Sequence, residues 1–110
     1  MNELEINESI FESIKHTDED GNEFWYAREL MVVLEYKRWD KFNNVIANAI
    51  ETCSSSSYNV LDHFSHLGKM VNIGSNTKRK VEDYKLSRYA CYLIVMNGES
   101  RKKFKRIRKI

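Results

Sequence analysis

The chain has 110 residues, of which 42% are hydrophobic and 31% are charged. This length and composition predict one folded domain with a single core, and they exclude a disordered polypeptide. Residues 1–5 are acidic, unlike a signal peptide, and no apolar run approaches the ~20 residues of a membrane-spanning helix. We therefore expect a cytoplasmic protein without a membrane contact, in which Cys53 and Cys91 are free, buried thiols.

Positive and negative side chains are unevenly distributed along the chain. The formal net charge is +2, but residues 101–110 hold seven Lys or Arg and no acid. Residues 1–100 therefore carry 11 basic and 16 acidic groups, a net charge of −5. A basic tail on an acidic body is either a solvated terminus or a contact for phosphate groups.

The first part of the chain predicts a lead-in followed by a hairpin. Residues 1–9 are expected to be poorly ordered, and residues 13–16 fit a first strand. The Asp-Gly-Asn chemistry of residues 18–22 predicts a turn that leads to a second strand at residues 23–26. The alternating acidic and amide side chains of this turn resemble a calcium loop, but its glycine is misplaced, so we expect a plain turn.

Two stretches with helical periodicity follow at residues 27–34 and 42–53, separated by a break at residues 35–37. Asp40 is the expected N-cap of the second helix. The apolar stripes of these helices comprise Ala27, Leu30, Met31, Leu34, Phe42, Val45, Ile46, Ala49, Ile50 and Cys53. Such a pair resembles a helix-turn-helix in outline, although many core helix pairs share that outline.

The middle of the chain offers no catalytic or metal-binding motif. Residues 54–57 are four consecutive serines, which predict a flexible connector. His63 and His66 follow without any Cys-x-x-Cys spacing, so we expect surface or capping histidines and no bound metal. Phosphate-binding glycine loops, nucleophile motifs and metalloprotease motifs are also absent from the sequence, and we expect no catalytic residue and no cofactor.

A second hairpin is predicted by residues 69–73 and 81–86, which fit two strands around a turn at residues 74–77. Its returning arm is basic, although Glu82 and Asp83 follow the basic run. A basic hairpin tip is either simply solvated or a phosphate contact, because long cationic side chains extend from a fixed ribbon. The candidate nucleic-acid-binding residues, taken from this hairpin, the next helix and the tail, are Lys78, Arg79, Lys80, Lys85, Arg88, Arg101 and Lys102.

Residues 86–98 are the most apolar stretch, and they predict a short helix buried on nearly all sides, with a strand as the alternative. Ser87 is suited to cap the first turn, and Leu86 can form a hydrophobic staple with Cys91. Residues 97–98, Asn-Gly, are expected to end the helix in the left-handed conformation. The expected core comprises Leu30, Leu34, Phe42, Ile46, Ala49, Ala90, Cys91, Leu93 and Ile94.

Several separated blocks of the sequence together resemble the family of the bacterial DNA-damage-inducible protein D. These blocks are residues 25–30, 34–36, 62–64, 69–79, 83–84 and 86–94. The N-terminal half is similar to the Bro-N domain of viral and phage proteins, many of which are antirepressor-like. The resemblance implies a small α+β domain of the Bro-N kind, with β-hairpins and three to four helices. We expect this domain to cover residues 10–100, between the lead-in of residues 1–9 and the basic tail of residues 101–110.

The same resemblance implies a function in the SOS response to DNA damage. The expected partners are DNA, including single-stranded DNA, and the RecA filament, and the expected module is non-enzymatic. The alternative is an antirepressor-like domain that binds a repressor protein without touching nucleic acid, which the acidic body favours. Because members of that family continue beyond this length, we expect a truncated version, and its oligomeric state is left open.

Overall fold

The computed structural model describes residues 3–98, and within this range it contains four α-helices, one short 3-10 helix and a four-stranded antiparallel sheet. The α+β class expected from the sequence is confirmed. In chain order the elements are α1 (Glu3–Ser13), β1 (His16–Thr17), β2 (Glu23–Tyr26), α2 (Ala27–Val33), α3 (Trp39–Ser55), the 3-10 helix (Val60–Asp62), β3 (Phe64–Gly74), β4 (Thr77–Leu86) and α4 (Arg88–Asn97).

The helix α4 forms the centre of the core, as the uncharged run of residues 89–96 predicts. The Ser87 hydroxyl accepts a hydrogen bond from the Ala90 amide at 3.0 Å and so caps the first turn. Every residue expected in the core is buried. The helix packs against α3 and against β2, where the ring of Trp25 stacks on that of Phe11 with 4.5 Å between the ring centres. Trp25 is fully buried, and its indole N–H donates to the Phe11 carbonyl oxygen at 3.0 Å.

The strand order is β1-β2-β4-β3, and the two neighbours of β4 cover different lengths of it. β2 pairs with β4 only at Trp25–Leu86 and Tyr26–Lys85, whereas β3 pairs with β4 from its base to the turn. The long hairpin therefore extends beyond the four-stranded part as two strands. We call residues 68–81 the ribbon; every residue from 72 to 80 is exposed.

Both predicted hairpin turns are confirmed. The Asp18 carboxylate accepts hydrogen bonds from the backbone amides of Asp20 and Asn22, each at 2.9 Å, which closes the turn between β1 and β2. Gly21 has a φ of +83°, a conformation that favours glycine. At the tip of the ribbon Asn76 has a φ of +59°, which asparagine tolerates better than most residues.

The start of the chain is helical, and this corrects two expectations. The helix α1 begins at Glu3, inside the expected lead-in, and it ends at Ser13, where the sequence predicts a strand. The strand β1 retains only His16 and Thr17. Tertiary packing explains the difference, because Phe11 of α1 stacks on Trp25 and most helical stability comes from such packing.

Three helix boundaries also differ from the sequence-based expectation. Arg38, not Asp40, is the N-cap of α3, and the Asp40 carboxylate accepts hydrogen bonds from its guanidinium at 2.6 and 3.0 Å. α3 continues to Ser55, into the expected connector, because a buried cysteine anchors its last turn. Gly98 ends α4 with a φ of −101°, which is not left-handed. Glycine is needed there for space, since a Cβ would lie 2.5 Å from the Tyr36 hydroxyl oxygen.

Candidate nucleic-acid interface

Two consecutive acidic residues, Glu82 and Asp83, fix the root of the ribbon to the helices. The Glu82 carboxylate accepts hydrogen bonds from Trp39 Nε1 at 2.7 Å and from Asn43 Nδ2 at 3.2 Å. Its other oxygen lies 3.1 Å from His66 Nε2. The hydrogen bond from Trp39, and then the contact with His66, lower the pKa of Glu82 below its ordinary value of 4.5. The ribbon therefore leaves the domain from a position fixed by α3.

Asp83 attaches the same root to α2. Its carboxylate is 0% exposed, accepts a hydrogen bond from the backbone amide of Arg28 at 3.0 Å and lies 3.0 Å from Lys69 Nζ. The helix α2 has no capping side chain of its own, so Asp83 satisfies one of the free amides of its first turn. Lys69 Nζ also lies 3.8 Å from the centre of the Tyr26 ring. A buried carboxylate needs partners of this kind, and the charge of Lys69 is used here.

The cations further along the ribbon are not neutralised in this way. Lys78, Arg79 and Lys80 are exposed, and among the side chains described, those of residues 8–98, no acid forms an ion pair with them. The ribbon contains four Lys or Arg and no Asp or Glu, and only Lys69 is paired. Because side chains alternate along a strand, Lys78 and Lys80 lie on one face and Arg79 on the other. The ribbon thus presents positive charge on both faces.

Lys85 and Arg88 do not join this group. Lys85 lies near the base of β4, and Arg88 follows that strand in α4. At ~3.3 Å per residue, Lys85 is about 17 Å along the strand from Lys80 and about 23 Å from Lys78. Lys85 Nζ lies 4.8 Å from the centre of the Phe24 ring. The structure therefore brings together three of the candidate residues and separates two of them from the tip.

Arg88 is held by carboxylates from two other elements. Its guanidinium donates two hydrogen bonds to Glu23 at 2.6 and 2.8 Å and lies 2.9 Å from the Glu12 carboxylate. The hydrogen bond with Arg88 lowers the pKa of Glu23 below its ordinary value of 4.5, and the pKa of Arg88 itself is raised. Arg88 joins α4 to β2 and α1, and its charge is already compensated.

The remaining two candidates, Arg101 and Lys102, lie with the rest of the tail outside the described residues. Their contribution to nucleic-acid binding stays a prediction. The three candidates that the fold does group, Lys78, Arg79 and Lys80, form a continuous exposed run on one strand. This run gives the ribbon a local excess of positive charge.

The two thiols are buried in the core, and two of the histidines contact other side chains of the fold. Cys53 on α3 and Cys91 on α4 are free and buried, and burial raises the pKa of both thiols, that of Cys91 well above 9.0. His63 Nδ1 lies 2.7 Å from the Ser87 hydroxyl oxygen, and His66 contacts the Glu82 carboxylate. Within residues 3–98 no group of three or more His, Cys, Asp or Glu could hold a metal ion.

Three residues at the ribbon root are missed by sequence reasoning: Arg28, Trp39 and Asn43. The Arg28 guanidinium lies 4.2 Å from the centre of the Trp39 ring, and its Nε donates to the Glu82 carbonyl oxygen at 2.7 Å. These residues are 39 to 54 positions from Glu82 in the sequence, so no local pattern connects them. The available signal is a tryptophan at the start of an amphipathic helix, since a partly buried indole N–H needs an acceptor.

Comparison with known proteins agrees with the resemblance seen in the sequence. The chain is 46% identical over 92 residues to DNA damage-inducible protein D of Escherichia coli (strain K12), covering 84% of this chain and 34% of that protein. The chain thus spans about a third of the length of this relative. No solved structure matches the chain. In the described range no helix is long and apolar enough to cross a membrane. Residues 13–109 match the N-terminal domain of the BRO family, and the chain therefore belongs to that family.

Proposed function

We propose that this domain binds DNA through the ribbon and that it acts without catalysing a reaction. The observation that carries the proposal is the run of Lys78, Arg79 and Lys80, three exposed cations without an acidic partner in the described part of the chain. Cations that face solvent from a fixed strand can contact phosphates without first breaking an ion pair. Each such contact releases counterions from the nucleic acid and so contributes to affinity.

The charge of the rest of the domain makes a local site necessary. Residues 1–100 carry a net charge of −5, so diffuse attraction to a polyanion cannot supply the affinity. The acids that follow the basic run, Glu82 and Asp83, are bound at the root by α2, α3 and Lys69. In this proposal Arg88 holds α4 in place, and Lys85, Arg101 and Lys102 add attraction at longer range.

The family supports a role at DNA in the response to DNA damage. The E. coli relative is named as a DNA damage-inducible protein, and we propose that this chain likewise acts in the SOS response. The finer proposal is that the ribbon contacts single-stranded DNA or the RecA filament that forms on it. Because the chain spans 34% of that relative, action on the filament is a proposal separate from DNA binding.

The test is a fluorescence-anisotropy titration of labelled single-stranded and double-stranded DNA at several salt concentrations. The variant Lys78→Ala/Arg79→Ala/Lys80→Ala should bind both DNAs more weakly than the parent. Each phosphate contact contributes ~0.7–0.9 to the slope of log affinity against log salt, so this slope should flatten by roughly two to three units if all three side chains contact phosphates. Removal of residues 101–110 should weaken binding less, because a tail that docks loses conformational entropy.

A matched control removes the same charge from the body. Lys37, Arg38 and Lys41 are exposed at the start of α3, and their replacement by alanine also removes three positive charges. We expect this control to retain most of the affinity and the parental salt slope. If both triple variants lose affinity equally, or if the ribbon variant binds as the parent does, the ribbon is not the site.

A second candidate function is that of an antirepressor-like domain that binds a repressor protein. The acidic body favours it, because many repressors carry basic DNA-binding surfaces that an acidic surface would complement. The same titration separates the two functions. A folded parent protein without affinity for either DNA at low salt would contradict DNA binding and favour the protein partner.

A further inference from the structure

The ribbon carries exposed apolar side chains as well as cations. Met70 is 59% exposed and Ile73 is 55% exposed. Ile73 adjoins the turn and lies outside the regular pairing, because the register shifts between Asn72 and Gly74. A large apolar side chain at the end of a solvated ribbon contributes nothing to the core. Its exposure is explained if a binding partner accepts this side chain.

The charges around Ile73 indicate the chemical class of that partner. Asn72 pairs with Lys78 and Val71 pairs with Arg79, so cations flank the apolar tip on both faces. The partner must present negative charge at its surface and apolar area within reach of the tip. A nucleic-acid duplex has both, since its phosphates border the grooves and its base pairs stack between them.

We propose that Ile73 is a wedge that enters a base step of double-stranded DNA while the ribbon cations hold the flanking phosphates. The ligand class is a duplex with a step that is already unstacked, such as a mismatch or a single-base bulge. Insertion of an apolar side chain into a regular duplex costs a few kcal/mol of stacking per step, and this cost is smallest where the step is already disrupted. This inference rests on the proposed DNA binding, and it names a disrupted duplex, in place of single-stranded DNA, as the target of the ribbon tip.

An anionic lipid surface also combines negative charge with apolar area, but the ribbon fits it less well. Peripheral membrane segments bury a broad apolar face, and their affinity grows with that area. The ribbon offers isolated apolar residues among polar ones, and Asn72 and Asn76 occupy the positions around its tip. The major groove of DNA is wide enough to admit a two-stranded β-ribbon. We therefore infer DNA as the partner and include lipid as an outcome of the test.

The experiment compares a labelled duplex with an otherwise identical duplex that carries one unpaired adenine at its centre. We expect the parent protein to bind the bulged duplex roughly tenfold more tightly than the matched one. Ile73→Ala should reduce this ratio to about one, because the preference for the bulge comes from insertion of this side chain. A fluorescent 2-aminopurine beside the bulge should brighten with the parent and stay dim with Ile73→Ala.

The control is Leu61→Ala, which shortens another exposed apolar side chain, 78% exposed on the 3-10 helix. It should leave the ratio unchanged, and thermal melts should show all variants folded. Equal binding of both duplexes by the parent would overturn the wedge but leave DNA binding intact. Absence of any binding would contradict the proposed function instead. Sedimentation with phosphatidylserine-containing vesicles that is lost in Ile73→Ala, without a bulge preference, would assign the tip to lipid.

Discussion

Basic side chains at the two ends of β4 differ in whether they have acidic partners. At the base, Arg88 is held between Glu12 and Glu23, and its guanidinium also lies 5.1 Å from the centre of the Trp25 ring. Toward the tip, Lys78 and its two basic neighbours have no acidic partner within the described residues. The domain contains enough acids to pair these cations. The acids that follow them in the sequence, Glu82 and Asp83, instead accept hydrogen bonds from α3 and α2. The paired charges at the base stabilise the fold, and the unpaired charges toward the tip support the proposal that the ribbon binds a partner.

Apolar side chains show the same contrast. Trp25 and Ile94 at the base are fully buried, whereas Met70 and Ile73 on the ribbon are more than half exposed. Burial of apolar area is the main favourable contribution to folding, so the base should supply most of the stability. The ribbon should contribute little and should depend on its root for a fixed position. Substitutions at the two ends should therefore separate stability from binding.

The largest expected effect is that of Leu93→Ala in α4. Leu93 is buried against the core, and its truncation leaves a cavity, so the free energy of unfolding should fall by ~2–5 kcal/mol. Met70→Ala on the ribbon should change it by less than ~0.5 kcal/mol, because this side chain is more than half exposed. Urea denaturation followed by circular dichroism measures both. Similar losses for the two variants would remove the distinction between a stabilising base and a solvated ribbon.

Asp83 at the root should give the next largest effect. Asp83→Ala leaves the Arg28 amide without its acceptor and Lys69 without its carboxylate, which should cost about 1–3 kcal/mol. Asp83→Asn keeps an oxygen that can accept from the amide, so it should recover part of this loss. Hydrogen exchange of the Arg28 amide should quicken in the alanine variant more than in the asparagine variant. If the two variants unfold at the same urea concentration, the capping role of Asp83 is wrong.

The sequence predicts α4 and the long hairpin because their signals are local and agree. Ser87 is a good cap, residues 89–96 are uncharged, and the strands flank a turn with an asparagine that can adopt a positive φ. It does not predict α1, whose position depends on the contact of Phe11 with Trp25, 14 residues away. Asp40 is a good N-cap by type, but the adjacent Arg38 binds its carboxylate. A local preference for a helix or an N-cap does not decide the structure where a tertiary contact or an ion pair is stronger.

The candidate site was predictable only in part, where its signal is local in the sequence. The basic run of residues 78–80 is visible in the sequence, but the acids that follow it suggest local neutralisation. Only the fold shows that Glu82 and Asp83 bind α3 and α2 instead. The sequence also groups Arg88 with this run, whereas the length of β4 separates them. Proximity along an extended strand is a poor guide to proximity in space, since each residue adds ~3.3 Å.

The smallest expected effect concerns the ion pair at the base and its dependence on pH. The Arg88 guanidinium lowers the pKa of Glu23 below 4.5 in the folded protein. A lowered carboxyl pKa gives stability that is present above the ordinary pKa and is lost as the pH falls through the folded value. Because both side chains are partly exposed, Glu23→Gln should cost no more than ~1 kcal/mol at pH 7.

The comparison of interest is the difference in melting temperature between the parent and Glu23→Gln as the pH is lowered. This difference should be constant near neutrality and should shrink below pH 4.5, where protonation of Glu23 removes the same charge that the substitution removes. Glu51→Gln, an exposed residue on α3 outside every ion pair of the described range, is the control and should differ little from the parent at any pH. The ribbon variant Lys78→Ala/Arg79→Ala/Lys80→Ala should likewise show no such pH-dependent loss, since its cations stabilise no carboxylate. If the difference in melting temperature between the parent and Glu23→Gln stayed unchanged below pH 4.5, packing, and not charge, would hold Arg88 at the base.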